Sequence, residues 1–459
     1  MDEKRRKSFV NKMKKLISLS RERNRTRQII ESDSQRNKHT ATQRISTKKL
    51  AKPSPSPALT HRLYCAKVSR EKLHTKQSRK QTKRVDNENQ NVAKVKKSPK
   101  TIKSKTDKSK FSLDERQKET FVKFINEVYD LGVNGLVQQF VDQVSTYKPD
   151  NDQYDAFKRN PKRNRYKCIQ CLDNTRVILK QEQDYIHANY VTSKYLLNQF
   201  ICTQAPMRST VNDFWIMVMQ ENVRYIIMLC NLVESGKKKC HTYYPTEVGS
   251  KIEFNEITIS NVNVDLRDSK TIISQLKVEK NDNELFVSHV LWNDWPDHGV
   301  PSSELALFQI LKMVRRSRKR PTVIHCSAGV GRTGTIIAIE MGLEQLLHCV
   351  PLHLVELCKE LRNMRAFSVQ TDLQYVYIAK CLLAYAWCCG IFINIPNLIP
   401  KSDTFDKKYK ELMEGQQHLK AVEESPRDLI ANQMTGIVNK KSKSGDEKRE
   451  KLINSDGSD

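Results

Sequence analysis

The sequence predicts an α/β fold, and three observations support this class. The run RPTVIH (320–325) has the composition of a short strand, and TIIAIEMGLEQLLH (335–348) repeats apolar residues at helical spacing. A stretch of small residues, CSAGVGRTG (326–334), joins the two. A second helical pattern, FVKFINEVYDLGVNGLVQQFVDQV, fills residues 121–144. Because glycine is unfavourable inside helices and strands alike, the small residues between this strand and helix indicate a loop with a specific task.

Charge divides the chain into three parts. Residues 1–110 contain 34 Lys+Arg and 9 Asp+Glu, so they carry +25 of the total net charge of +28. They are rich in Ser, Thr, Gln and Asn and lack the apolar surface that would offset the chain entropy lost on folding. We therefore predict a basic disordered tail over residues 1–112, a folded domain over 113–400 and a polar C-terminal extension over 401–459.

Two features bear on the compartment. The first twenty residues contain no continuous apolar core, so we expect no secretory signal. Residues 381–400, CLLAYAWCCGIFINIPNLIP, are largely apolar, but Asn394 and Pro396 interrupt them and leave fewer than the ~20 residues that a membrane span requires. A buried terminal helix is the favoured interpretation, and a membrane anchor is the alternative. The chain contains 12 cysteines, which we expect to be reduced thiols in the cytoplasm, with the nucleus as a possible second location.

The loop at 326–334 has the chemistry of a phosphate site. A loop that leads from a strand into a helix collects backbone N–H groups at the helix N-terminus, where they bind anions. Arg332 adds a planar set of donors suited to two phosphate oxygens. The same dipoles and charge should stabilise Cys326 as a thiolate, next to the phosphorus of a bound phosphate. This arrangement predicts nucleophilic phosphoryl transfer through a cysteinyl-phosphate.

The segment HCSAGVGRTG (325–334) resembles the Cys-x5-Arg signature of the cysteine-dependent protein tyrosine phosphatases, of the non-receptor type with one catalytic domain. The resemblance implies a central twisted mixed β-sheet flanked by helices, and hydrolysis of phosphotyrosine in proteins without a metal or another cofactor. It implies that His325 orders the loop and that Thr333 donates a hydrogen bond to the sulfur as it leaves the phospho-enzyme. The residues implied to bind the phosphate are Ser327, Ala328, Gly329, Val330 and Gly331.

A second motif upstream supplies an acid. WNDWPDHGVP (292–301) resembles the mobile acid loop of the same family. In that family the aspartate, here Asp297, protonates the departing phenol and later takes a proton from the attacking water. Trp295 and Pro296 would anchor this loop. Without the resemblance, the same residues predict only a turn with an acidic tip.

Two further segments resemble the parts of the family that handle water and the substrate ring. In LRNMRAFSVQTDLQY (361–375), Gln370 would orient the hydrolytic water and Gln374 would support the phosphate site. In PKRNRYKCIQCLDNTRVIL (161–179), Tyr166 would form a wall against the substrate ring. A cleft that deep favours phosphotyrosine, because phosphoserine is too short to reach Cys326.

Another segment, LCNLVESGKKKCHTYYP (229–245), resembles the loop whose glutamate braces the arginine of the signature, and here that residue is Glu234. DYIHANYV (184–191) and FICTQAPMRSTVNDFWIMV (200–218) match scaffold segments of the family. Together the matches cover roughly residues 120–390.

Four positions depart from the family pattern. Cys168 stands where an aspartate usually binds the substrate backbone, and its loss should weaken peptide binding by ~1.5–3 kcal/mol unless a neighbour replaces it. His187 replaces an asparagine, Ala205 replaces a glycine, and Phe367 occupies a position that is often small. Substrate range is therefore the open question.

Three functions remain to be separated: an active phosphotyrosine phosphatase, a phosphotyrosine-binding pseudo-enzyme, and a lipid or RNA phosphatase built on the same loop. The basic tail is expected to contact acidic partners, anionic membranes or nucleic acid non-specifically, or to remain solvated without a fixed partner. KRRK at 4–7 is also compatible with nuclear import.

Overall fold

The computed structural model describes Asn11 and residues 113–423, except positions 269, 297, 298, 303, 318 and 319. The predicted basic tail apart from Asn11, most of the predicted C-terminal extension and the predicted acid Asp297 therefore lie outside the described residues. The predicted strand at 320–325 and the helices at 121–144 and 335–348 are present in the structure.

Nine α-helices occur in the described part of the chain. They are α1 (Glu115–Gln139), α2 (Asp155–Arg159), α3 (Val211–Gln220), α4 (Leu305–Val314), α5 (Gly331–Leu347), α6 (Leu354–Met364), α7 (Asp372–Cys388), α8 (Ile391–Asn394) and α9 (Leu398–Glu423). A π-helical segment, Phe140–Ser145, continues α1.

The strands form one large sheet and a small hairpin. They are β1 (Arg176–Ile178), β2 (Tyr185–Val191), β3 (Phe200–Thr203), β4 (Tyr225–Met228), β5 (Val233–Glu234), β6 (Lys237–Lys238), β7 (Lys251–Phe254), β8 (Ile257–Asp268), β9 (Thr271–Lys280), β10 (Asn283–Trp292) and β11 (Thr322–His325). The order in the large sheet is β1-β2-β3-β11-β4-β10-β9-β8-β7, and β5 pairs with β6 separately.

The large sheet is mixed, as predicted. Strand β11 lies parallel to both β3 and β4, and β4 lies parallel to β10, while the remaining neighbours are antiparallel. Ligands of such sheets bind beyond the carboxyl ends of the parallel strands. The loop that begins at Cys326 follows β11 at this edge, in the middle of the sheet.

Helices cover both faces of the sheet, which also confirms the prediction. Alternate residues of β11 point to opposite faces, because Val323 belongs to the core under α3 whereas Ile324 belongs to the core shared with α1 and α5–α7. Helix α5 is buried almost all round, as its lack of a polar face requires. This burial fixes the helix that follows the loop.

The N-terminus of α1 is closed by a capping box between Asp114 and Gln117. The Asp114 carboxylate accepts from the Gln117 backbone N–H at 2.9 Å, and the Gln117 side chain accepts from the Asp114 N–H at 3.2 Å. This reciprocal capping box satisfies two of the donors that a helix start leaves unpaired.

The C-terminal helices differ from the expected boundary. Residues 381–388 end α7, and the predicted boundary at residue 400 falls inside α9. Leu398, Phe405 and Tyr409 of α9 are buried in the same core as α1 and α7. Among the described residues, no helix is long and apolar enough to cross a membrane.

Candidate active site

Cys326 is the first residue after β11 and lies under a loop that ends at the start of α5. The Gly329 backbone N–H donates to the Cys326 Sγ at 3.2 Å. The positive end of the helix dipole of α5 is directed at the same loop, because the helix begins at Gly331. The sulfur is nearly buried, with 5% of the residue exposed. Backbone dipoles thus converge on one sulfur atom.

Two glycines of the loop are required by close contacts. Gly329 has a φ of +72°, and a Cβ added there would lie 2.0 Å from the Thr203 carbonyl oxygen. A Cβ at Gly331 would lie 2.5 Å from Oε1 of Gln370. The loop therefore packs against the end of β3 on one side and against the glutamine segment on the other.

Arg332 is 1% exposed and its guanidinium is held by three acceptors. Its Nη1 donates to the Leu229 carbonyl at 2.7 Å and to Oε1 of Glu234 at 2.8 Å, and its Nη2 donates to Oε2 of Glu234 at 2.6 Å. The structure thus brings together the predicted glutamate and the predicted arginine. A two-point carboxylate contact fixes the plane of the guanidinium before any phosphate binds.

A second buried arginine, Arg365, supports the loop from behind. The sequence matched this residue to a basic position of the family but did not predict its contact with the loop. Arg365 donates to the carbonyl oxygens of Gly329 at 3.1 Å and Ala328 at 3.0 Å. Its Nη1 donates to Oδ1 of Asn189 at 2.7 Å and to Nδ1 of His187 at 3.1 Å. Since these carbonyls point to Arg365, the N–H groups of the same loop are left to face the opposite side.

His187, one of the four departures from the family pattern, is part of this support. Its Nε2 donates to the Ile169 carbonyl at 2.9 Å, so its Nδ1 is the acceptor for Arg365. Burial, with a further contribution from the Arg365 charge, lowers the pKa of His187 to about 3. The imidazole is therefore neutral, and like an amide side chain it donates one hydrogen bond and accepts another.

His325 is held in one tautomer by a buried chain. Its Nδ1 donates to the Cys326 carbonyl at 3.2 Å, and its Nε2 accepts from the Tyr243 hydroxyl at 2.8 Å. The Tyr243 oxygen in turn accepts from Nε2 of His289 at 2.6 Å. Burial lowers the pKa of His325 to about 4, so the ring is a neutral brace for the loop and not a proton donor near neutral pH.

A cavity of about 220 Å³ lies over the loop. The Tyr166 hydroxyl is 2.8 Å from Oγ of Ser327, which fixes the tyrosine as one wall. Cys168 lies at the same cavity and is exposed. The lining residues are Tyr166, Cys168, Ile169, Lys239, Cys326, Ser327, Ala328, Arg332, Gln370 and Gln374.

The two predicted glutamines are held together by the start of α7. The Thr371 hydroxyl accepts from the Gln374 backbone N–H at 3.2 Å and caps the helix. The Gln374 side chain then accepts from the Gln370 backbone N–H at 2.9 Å. Both side chains reach the cavity as a consequence.

The acid loop is described only at its ends. Nε1 of Trp295 donates to the Gly299 carbonyl at 2.8 Å, and the Gly299 N–H donates to the Pro296 carbonyl at 3.2 Å. Trp295 is buried against Trp292, with ring centroids 5.1 Å apart. The base of this loop is thus anchored on both sides of Asp297, which itself lies outside the described residues.

The remaining predicted positions are placed as follows. Val330 is buried, and its carbonyl accepts from the Val369 N–H at 3.0 Å. The buried Thr333 hydroxyl forms no hydrogen bond with a described residue. The Ala205 N–H donates to the Ser327 carbonyl at 3.0 Å. Phe367 has a φ of +63° and does not line the cavity.

Comparisons with known proteins identify the family that this chain resembles. Residues 160–384 match the family model described as protein-tyrosine phosphatase. The rat tyrosine-protein phosphatase non-receptor type 9 is 33% identical over 289 residues, which are 54% of this chain and 49% of that protein. The rat phosphatidylinositol phosphatase PTPRQ is 33% identical over 271 residues, 57% of this chain and 12% of that protein.

A solved structure described as "Structural basis of PTPN18 fingerprint on distinct HER2 tyrosine phosphorylation sites" superimposes with a TM-score of 0.54. It is 28% identical and covers 59% of this chain and 99% of that one. The chain spans about half the length of the non-receptor type 9 relative that it matches.

Proposed function

Since this chain belongs to the protein-tyrosine phosphatase family through residues 160–384, we propose that it hydrolyses phosphotyrosine in proteins. One observation carries the proposal most directly: the sulfur of Cys326 and the guanidinium of Arg332 line the same cavity, with Tyr166 as its wall. A nucleophile, a phosphate ligand and an aromatic surface are the elements that bind an aryl phosphate and attack its phosphorus.

In the first step the Cys326 thiolate attacks phosphorus. The S–P bond forms as the bond between phosphorus and the tyrosine oxygen breaks, and the phenol oxygen takes a proton from the Asp297 carboxyl group. The loop N–H groups and Arg332 stabilise the charge that spreads over the three equatorial oxygens. The bond from Glu234 to Arg332 supports this role, since a fixed guanidinium needs no reorganisation during the reaction.

In the second step water attacks the phosphocysteine. Gln370 orients the water, the Asp297 carboxylate takes its proton, and the S–P bond breaks to release phosphate and the thiolate. Gln374 keeps Gln370 in place through the bond to its backbone N–H. Thr333 donates a hydrogen bond to the departing thiolate, which would give a partner to a hydroxyl that has none among the described residues.

A second candidate is dephosphorylation of phosphoinositides. It is favoured by the likeness to the relative named as a phosphatidylinositol phosphatase. The exposed Cys168 at the cavity offers no carboxylate to a peptide backbone, and thus also keeps the phosphotyrosine-binding pseudo-enzyme as an alternative. Action in the cytoplasm, with the nucleus as the second possibility, fits the non-receptor relatives.

One set of assays on the full chain separates these functions. We expect turnover of p-nitrophenyl phosphate and a phosphotyrosyl peptide, no turnover by Cys326→Ser, and a loss of ~10²–10⁴-fold for Asp297→Ala. Faster turnover of a soluble phosphoinositide than of the peptide would favour the lipid phosphatase. Peptide binding without any turnover by the wild-type chain would leave the pseudo-enzyme.

A further inference from the structure

A turn of apolar residues follows α7 and is open to solvent. No charged residue lies between Lys380 and Lys401. Within this stretch Ile393 is 65% exposed, Pro396 is exposed and Ile395 is half-buried. We call these three residues the apolar tip. A single exposed isoleucine is ordinary on a protein surface, whereas exposed apolar residues that lie together mark a contact with another molecule.

Two contacts hold the apolar tip against the domain. Trp387, close to the end of α7, stacks on Phe392 with parallel rings whose centroids are 4.3 Å apart. Lys401, which follows the turn, donates to the Asp130 carboxylate of α1 at 3.1 Å. The acidic group on this side is therefore paired, and the tip is a fixed part of the fold.

The apolar tip lies at the end of the domain opposite to the cavity. Helix α7 begins at Asp372, between the two glutamines that line the cavity, and it is 17 residues long. At a rise of 1.5 Å per residue this helix spans ~25 Å. Since the tip follows the last turn of α7, a comparable distance separates the tip from the cavity.

Three arginines lie at the same end, and we call them the arginine cluster. Arg224 precedes β4, Arg320 precedes β11, and Arg316 lies in the turn that leads from α4 towards β11. Strand β11 runs towards Cys326, and β4 is parallel to it. Residues that precede these two strands are therefore on the side of the sheet that faces away from the cavity.

The arginine cluster forms no ion pair with a described residue. Nε and Nη2 of Arg320 donate to the neutral carbonyls of Asn222 and Val223 at 2.6 and 3.2 Å. Arg320 is thereby fixed close to Arg224, and burial, followed by the charge of Arg224, lowers the pKa of Arg320. Glu221 accepts from the side-chain amide of a neighbouring glutamine at 2.9 Å instead. Cations held together without a counter-charge attract anions.

We propose that this end of the domain docks onto an anionic lipid bilayer, with the apolar tip in the interface and the arginine cluster against the lipid phosphates. Interfacial binding of this kind depends on buried apolar area together with attraction to anionic lipids. A nucleic acid would account for the arginines, but it gives no reason for exposed isoleucine and proline at the same end. The strongly basic residues 1–110 would add attraction to the same surface.

Docking through this end determines where the cavity points. The length of α7 holds the cavity ~25 Å from the bilayer, on the side of the domain that faces the aqueous phase. The cavity then reaches phosphotyrosine on proteins in solution, but not the headgroups of the lipids to which the domain is bound. The inference does not depend on the proposed function, and it weighs against phosphoinositides of the same bilayer as substrates.

Co-sedimentation of the full chain with vesicles of phosphatidylcholine, with and without ~30% phosphatidylserine, measures the docking. Ile393→Ser tests the apolar tip. Leu266→Ser is its matched control, because Leu266 is similarly exposed, at 69%, and lies across from the carboxyl end of β10 at the other end of the sheet.

Arg224→Gln with Arg316→Gln tests the arginine cluster. Lys148→Gln with Lys251→Gln is the matched control, because it removes the same two charges from exposed lysines that form no ion pair with a described residue. Both double variants leave the net charge of the full chain equal, so total charge alone cannot separate them.

We expect Ile393→Ser to lower the vesicle partition coefficient about three- to tenfold. The arginine variant should lower it about tenfold at ~0.1 M salt, with both controls within about twofold of wild type. At ~0.5 M salt the effect of the arginine variant should disappear and that of Ile393→Ser should remain, since only the charges are screened.

A second measurement reports on the contact itself, because the basic residues 1–110 could adsorb to vesicles alone. Trp387 is half-buried close to the apolar tip. The other tryptophans are buried: Trp215, Trp292 and Trp295. Brominated acyl chains in the anionic vesicles should quench the fluorescence of Trp387. Trp387→Phe and Ile393→Ser should each remove most of this quenching.

Several outcomes would overturn the proposal. Vesicle binding without quenching of Trp387 would leave residues 1–110 as the membrane contact. Equal losses in the arginine variant and the lysine control would show that the cluster has no role of its own. A dimer that forms without lipid and is lost in Ile393→Ser would assign the tip to a second copy of the chain.

Two further measurements complete the test. Binding of a short RNA duplex that is weakened by the arginine variant and unaffected by Ile393→Ser, without vesicle binding by the wild-type chain, would assign the cluster to nucleic acid and overturn the proposal. Turnover of p-nitrophenyl phosphate by every variant should match that of wild type. This turnover reports separately on the proposed function, which can fail while docking is retained.

Discussion

The carboxylate of Glu234 meets the guanidinium of Arg332 at two points, with Oε1–Nη1 and Oε2–Nη2 distances of 2.8 and 2.6 Å. Both side chains are withdrawn from solvent, since their exposed fractions are 12% and 2%. An ion pair so placed is screened little by water or salt. Its main effect is therefore to fix the orientation of the arginine above the phosphate loop.

Glu234→Gln tests this relationship. The amide has the same shape, but its NH2 group faces an arginine donor, so one of the two contacts is lost. The loss of a charged hydrogen bond of ~1.5–3 kcal/mol should lower kcat/KM for a phosphotyrosyl peptide about 10- to 100-fold. Steady-state kinetics measure this effect, and thermal unfolding checks that the fold persists. Wild-type kinetics in the variant would show that Arg332 needs no brace.

Gly329→Ala tests the close approach of the loop to β3. Gly236→Ala is its matched control, because the two glycines have φ values of +72° and +71°, while only Gly329 has an atom within 4 Å of the added Cβ. We expect the control to lose ~1–2 kcal/mol of unfolding free energy from the left-handed backbone alone. Gly329→Ala should lose more than ~4 kcal/mol and abolish turnover. Urea unfolding compares the two, and equal losses would contradict the contact.

The loop could be predicted from the sequence because its information is local. A strand, a run of small residues and a helix follow one another, and the nucleophile and arginine lie six positions apart. The support behind the loop is not local. Arg365 reaches Asn189 across 176 positions and Gly329 across 36, and no spacing rule connects such residues. Its burial also could not be foreseen, since an arginine is usually exposed.

The C-terminal helix α9 shows a second limit of prediction from sequence, which concerns composition. Residues 401–423 are rich in charged residues, so composition predicted a polar extension from residue 401. Phe405 and Tyr409 are nevertheless four positions apart on one face of α9 and are buried. Leu398, Phe405 and Tyr409 pack this charged helix against the domain, whereas the average composition of the extension gives no sign of its apolar residues.

Tyr243→Phe tests the buried chain that orients His325. The hydroxyl is bonded to both His289 and His325, so its removal leaves two buried imidazole nitrogens without a partner. We expect a loss of ~2–4 kcal/mol in unfolding free energy and a lower kcat, because His325 no longer holds the Cys326 carbonyl in one position. Tyr244→Phe is the control, since it keeps the stacking on His289 at 3.8 Å. Equal effects of both changes would contradict the role of the hydroxyl.

Unfolding free energy should fall in mild acid because the domain buries neutral histidines. The pKa of His187 is lowered from 6.5 to about 3, that of His325 to about 4, and that of His289 well below 6.5, in each case chiefly by burial. Below pH 6.5 these histidines bind protons in the unfolded chain but stay neutral in the folded chain. The contribution of these histidines to the unfolding free energy is therefore complete above pH 6.5. It is lost as the pH falls towards their pKa values in the folded domain.

Each histidine should lower the unfolding free energy by up to ~1.4 kcal/mol per pH unit in this range, which urea unfolding between pH ~7 and ~5 measures. His187→Asn removes one such group, while its amide oxygen can still accept from Arg365. The slope of unfolding free energy against pH should become shallower by the amount that one histidine contributes to it, up to ~1.4 kcal/mol per pH unit. An unchanged slope in this variant would mean that His187 is protonated in the folded domain, and that it cannot then accept a hydrogen bond from Arg365.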